Sequence, residues 1–149
     1  MIRGTCVGFD ADYINDMFGL TCEDDEYESF ASSLTNAKRN KIVADLCEDN
    51  TKWTVAPKGS RSIKRLALKN QARGWNHFLK ASLMPTSHNE IVSEERMAML
   101  YFIIMGRKIN VGKIIVNETF KCIETDKSNI LFPLLITNLC LRHNVPKMS

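Results

Sequence analysis

The tripeptide Thr86-Ser87-His88 sets hydroxyl and imidazole side chains side by side, the raw material of a nucleophile and its general base. Such a pair works only where the two side chains meet, and adjacent residues rarely point at each other. No G-x-S-x-G elbow presents a serine. The residues read better as a turn. Pro85 stops the helix before it, and Thr86, Ser87 and His88 hydrogen-bond the corner and cap the helix that follows. An enzyme centred on His88 is the weakest of the readings.

The other reactive side chains are scattered. His77, His88 and His143 form no HExxH or similar pair. The run Glu23-Asp24-Asp25-Glu26 lacks the alternating pattern of a calcium loop and reads as a solvated helix start. Lys58-Gly59-Ser60-Arg61-Ser62 lacks the spacing of a phosphate loop. An acidic nuclease triad needs strands to carry it, and no series of strands is visible. The five cysteines (Cys6, Cys22, Cys47, Cys122 and Cys140) are odd in number, widely spaced and without a CxxC pair. They read as reduced, small buried residues rather than a disulfide framework or a zinc site. No catalytic residue, metal ligand or cofactor-binding residue is assigned.

Charge is the clearest asymmetry. The net charge of +3 over 149 residues conceals −7 in residues 1–50, +8 in residues 51–89, which hold no acid, and +2 in residues 90–149. A basic middle segment is a possible nucleic-acid footprint, carried by Lys58, Arg61, Lys64, Arg65, Lys69 and Arg73. The competing reading is that this segment neutralises the acidic N-terminal part within the fold. No apolar run approaches the roughly 18 to 20 residues that cross a bilayer. The N-terminus lacks an apolar signal-peptide core, so an intracellular protein is expected. Lys64-Arg65 is too short for a nuclear signal.

The elements that would position these residues are mostly helical. Asp10 caps a short helix through Phe18, which Gly19 stops. Thr35 or Asn36 caps a helix from about Ala37 to Cys47, with Ile42, Val43 and Leu46 at helical spacing. Residues 3–9 and 52–56 lean towards extended structure, and 63–68 are extended or helical. Trp75, Phe78, Leu79 and Leu83 form one apolar stripe of a helix over Asn70–Leu83. Gly74 within it is expected to let another element approach closely. Ser93 caps the central buried helix, Glu94 to about Met105, which Gly106 stops. A helix over about Val111–Ile123 and a last one opened by Phe132-Pro133 complete the chain. The expected fold is mainly α: one compact helical domain, 1–149, of about five to seven helices. It divides into an acidic helical part (1–50), a basic extended or loop segment (51–69) and a helical core (70–146).

Several blocks carry a family resemblance. They are Trp75-x-x-Phe78, Leu83-Met84-Pro85-Thr86-Ser87-His88, Val92-Ser93-x-x-Arg96, Gly106-Arg107-x-Ile109-Asn110-Val111-Gly112 and Leu131-Phe132-Pro133-Leu134-Leu135-Ile136-Thr137. Near the front stand Arg3-Gly4, Val7-x-Phe9-Asp10, Phe18-Gly19-Leu20 and Asp25-Glu26-Tyr27. Together, over almost the whole chain, they resemble the putative plant transposon protein domain, found in retrotransposon-derived reading frames of plants. The resemblance implies a mobile-element protein, either a piece of a longer polyprotein or a degenerate copy, and carries over no catalytic residue. Met1 directly before a family block points to a natural domain that begins further upstream. The function expected is therefore non-enzymatic binding or assembly. The alternative is nucleic-acid binding through the basic 58–73 segment. Nucleic acid or other mobile-element proteins are the expected partners, with no membrane.

Overall fold

The computed structural model describes residues 9–20, 26–84, 86, 88–124 and 141–142. The fold is mainly α, with six helices and one small sheet among these residues. Two compact units divide the chain. One comprises residues 22–110, the other the two chain ends, 1–21 and 111–149.

Within residues 22–110 the helices are α2 (Glu26–Ser32), α3 (Asn36–Leu46), α4 (Asn70–Ala81) and α5 (Glu94–Ile104). The strands β1 (Thr54–Val55), β2 (Arg61–Lys64) and β3 (Ile91–Ser93) form an antiparallel sheet in that order, with Ser62 opposite both Thr54 and Ser93. A 3-10 turn, Arg65–Ala67, follows β2 directly. Residues 63–68 are thus extended first and helical afterwards. The backbone there is held by Glu48 N–H donating to Ala67 O (2.8 Å) and Lys69 N–H to Leu46 O (2.9 Å).

α5 is the centre of this unit. Ser93 Oγ accepts from Arg96 N–H (3.3 Å), and Glu94 and Glu95 occupy the first turn, where carboxylates oppose the helix dipole. Every residue from Arg96 to Phe102 is buried. A helix apolar on nearly all sides must be surrounded, and α2, α3, α4, β2 and β3 all touch it. Ile42, Leu46, Ile63, Leu79 and Val92 supply the fully covered partners. From α2, Tyr27 meets Phe102 edge-on (5.5 Å) and donates its hydroxyl to Glu95 O (3.1 Å). Gly106 (φ +67°) ends α5 in the left-handed conformation that suits glycine, with Arg107 N–H returning to Phe102 O (2.9 Å).

α4 departs from the expected pattern. Its buried face is Ala72, Asn76 and Leu79. Trp75 (40% exposed) and Phe78 (48%) lie outside it, packed against each other edge-on at 5.7 Å. The apolar stripe read from spacing is real on the helix but only Leu79 of it enters the core. Gly74 is no close-approach site: a Cβ there would meet nothing within 4 Å. The helix ends at Ala81, with Ser82 Oγ donating to Phe78 O (2.6 Å) and Met84 N–H to Leu79 O (2.8 Å), before Pro85 is reached. Ile91–Ser93 is a strand rather than a plain lead-in to α5, because its backbone completes the ladder with β2.

The other unit pairs α1 (Ala11–Met17) with α6 (Val111–Glu124). Asp10 Oδ1 caps α1 by accepting from Tyr13 N–H (2.8 Å), and Gly19 (φ +66°) terminates it. Buried Asn15 accepts from Gly112 N–H (2.8 Å), locking the two helices at their crossing. Residues 3–8 of the expected extended segment 3–9, the cluster Glu23-Asp24-Asp25, Pro85, Ser87 and the start of the helix from Phe132-Pro133 lie outside the described residues.

Candidate nucleic-acid interface

The basic segment is built on β2, the 3-10 turn and the start of α4. A tight reversal joins β1 to β2, closed by Ala56 N–H to Ser60 O (2.8 Å), with Gly59 at φ +88°. It carries Lys58 at its exposed tip. Lys64, Arg65 and Lys69 are exposed, and Arg61 is half-buried. Ion pairs occur elsewhere in this unit, at Arg39–Glu94 (3.1 Å) and Arg107–Glu26 (3.1 Å). Lys58, Arg61, Lys64, Arg65 and Lys69 form none with a described acid of residues 26–110. Within those residues none of the five pairs with an acid of α2 or α3.

Arg73 is the exception among the six. Its Nη2 donates to Leu66 O and Leu68 O, both at 3.2 Å, so it ties the 3-10 turn to α4. Its Nε is buried without a hydrogen-bond partner. Below it, Arg65, Asn70, Arg73, Asn76, His77 and Lys80 line a cleft of about 400 Å3. Sequence reasoning singled out neither Asn70, Asn76 nor His77 as site residues, and counted Lys80 only as charge. The signal was present: Asn70, Arg73, His77 and Lys80 recur three and four residues apart, one polar face of α4.

The corner at residues 84–89 carries no catalytic arrangement among its described residues. Thr86 Oγ1 accepts from His88 N–H (3.2 Å), and His88 is exposed. The following helix is capped by Ser93, not by this run. What anchors the corner is Arg96, buried in α5, whose Nη2 donates to Met84 O (3.2 Å).

Cys47 is buried and reduced, and burial pushes its thiol up to about 11, with Lys69 acting against the shift. A thiol held protonated is a poor nucleophile or metal ligand. No three His, Cys, Asp or Glu side chains gather among the described residues. No helix there is long and apolar enough to cross a membrane.

Against known proteins, the chain matches the family model described as a putative plant retrotransposon-related domain over residues 1–146. The chain belongs to that family, which agrees with the resemblance carried by its sequence blocks. No curated protein and no solved structure matches it.

Proposed function

We propose that this plant retrotransposon-related domain works by binding nucleic acid, without catalysing a reaction. The observation that supports the reading is the set of exposed cations Lys58, Lys64, Arg65 and Lys69, none of which forms an ion pair with a described acid of residues 26–110. Phosphate contacts from such residues supply the sequence-independent part of affinity. Exposed Trp75 and Phe78 add aromatic faces on which unpaired bases stack.

The test is affinity against salt. If the four cations each engage one phosphate, log K should fall with log salt at a slope of about −3.6 on duplex DNA and about −2.8 on a single strand. Absence of salt-sensitive binding to DNA or RNA would overturn the reading. Assembly is the second reading, favoured by the apolar side chains left exposed at Leu66 (71%), Trp75 and Phe78. Sedimentation at rising concentration tests it, and a persistent monomer refutes self-assembly.

A further inference from the structure

We propose that the cleft between the 3-10 turn and α4 is a binding pocket for a phosphate monoester, of which the terminal phosphate of an oligonucleotide is the expected source. Arg65, Arg73 and Lys80 bring three cations to one cavity of about 400 Å3, and none of its described lining is acidic. Electrostatics selects for charge. An internal phosphodiester offers one negative charge, whereas a monoester near neutral pH carries roughly 1.5 to 2, with three strong acceptor oxygens. Three converging cations match the second better than the first.

Two further observations show that the cleft is more than a patch of surface bases. Asn76 is buried (4% exposed), lines the cavity, and has a side-chain oxygen site with no hydrogen-bond partner. Buried polar atoms are nearly always satisfied, and this oxygen is covered where it stands, so the amide meets a group in the cavity by rotating towards it. The amide can present either its oxygen or its NH2 at that site, since the two are interchangeable by rotation. The NH2 would donate to a phosphate oxygen. The second orphan is Arg73 Nε, a buried donor whose neighbouring Nη2 is already fixed by Leu66 O and Leu68 O. That anchoring holds the guanidinium charge in place beside the cleft. Asn70, in the first turn of α4, adds the positive end of a twelve-residue helix.

The pocket shares Arg65 with the proposed nucleic-acid face and rests on that reading, so the experiment separates the two. The probes are a short oligothymidylate with a 5′-phosphate, the same oligomer with a 5′-hydroxyl, and inorganic phosphate. The pocket requires the phosphorylated oligomer to bind at least tenfold more tightly than the hydroxyl form. Inorganic phosphate should remove that difference and shift the NMR signals of the Asn76 side-chain amide and Arg73 Nε–H. Lys80→Ala and His77→Ala, outside the buried core, should reduce the preference to below twofold while leaving the salt-dependent binding of the hydroxyl form unchanged. Equal affinity for the two oligomers, with salt-dependent binding of both, overturns the pocket and leaves the nucleic-acid face standing. Phosphate-induced shifts at Asn76 and Arg73 without binding of either oligomer support the pocket with a free phosphate ester as its ligand and overturn the face. No binding and no shift overturn both.

Discussion

Single side chains hold this fold at a few points where the backbone needs a partner that only one residue type supplies. Ser93 is the clearest, because it caps the helix around which residues 22–110 are built. Ser93→Ala removes the acceptor for Arg96 N–H and should cost about 1 kcal/mol, read as a lowered urea midpoint at unchanged slope. Rescue by Thr or Asp would distinguish loss of the cap from a packing defect. Cys47 gives a pH-dependent counterpart. Its thiol is pushed from 9.0 to about 11 chiefly by burial, so the folded state holds the proton more tightly than the unfolded chain. The unfolded state therefore binds fewer protons as pH rises, and stability declines with pH between about 9 and about 11. Cys47→Ala should flatten that decline in denaturation curves taken across the interval. Alkylation of Cys47 at pH 8, followed by peptide mass mapping, should be slow in the native protein and fast in urea.

Elements were legible in this sequence where local chemistry alone decides them, and less so where burial depends on what packs against them. The caps Asp10, Thr35 and Ser93 and the stops Gly19 and Gly106 need only the chain nearby, and all five sit where spacing put them. β3 was not legible, since Ile91-Val92-Ser93 becomes a strand only by pairing with β2. The exposed side of α4 was equally hidden: spacing puts Trp75 and Phe78 on one stripe, but which edge of that stripe meets α5 is a tertiary choice. The cleft residues Asn70, Arg73, His77 and Lys80 did show a helical repeat, yet polar repeats normally mark a solvated face, so nothing flagged a cavity. Two glycines sharpen the point. Gly74 looked like the close-approach position and has open space, whereas Gly112 is where backbone meets backbone. A Cβ at Gly112 would collide with the Ala11 carbonyl oxygen and come within 2.8 Å of Asn15 Oδ1. Gly112→Ala should therefore destabilise by about 1 to 3 kcal/mol through overpacking. Gly74→Ala, inside an exposed helical stretch, should stabilise by about 0.5 to 1 kcal/mol. Thermal or urea unfolding of the two variants decides both signs, and equal effects would refute the distinction.

Across the whole molecule the decisive quantity is where the positive charge lies, because a net +3 is too small to predict a partner by itself. The segment 51–89 holds +8 with no acid, and such a block can serve either of two ends. It can balance the acidic residues 1–50, in which case removing it costs stability. It can face a polyanion, in which case removing it costs affinity and little else. The triple variant Lys58→Gln, Lys64→Gln and Lys69→Gln separates these, because it deletes three exposed charges and leaves Arg65, Arg73 and Lys80 in the cleft. Substitution of exposed side chains that pair with no described acid of residues 26–110 should move stability by no more than about 0.5 kcal/mol. The slope of log K against log salt on duplex DNA should become shallower by about 2.7, one increment of about 0.9 for each phosphate that the protein no longer neutralises. The preference for a 5′-phosphate should survive, since it belongs to the cleft and not to the lysines. A variant that unfolds more easily but binds with an unchanged salt slope would show that the basic segment serves the fold, and that the polyanion-binding surface must be sought elsewhere on the chain.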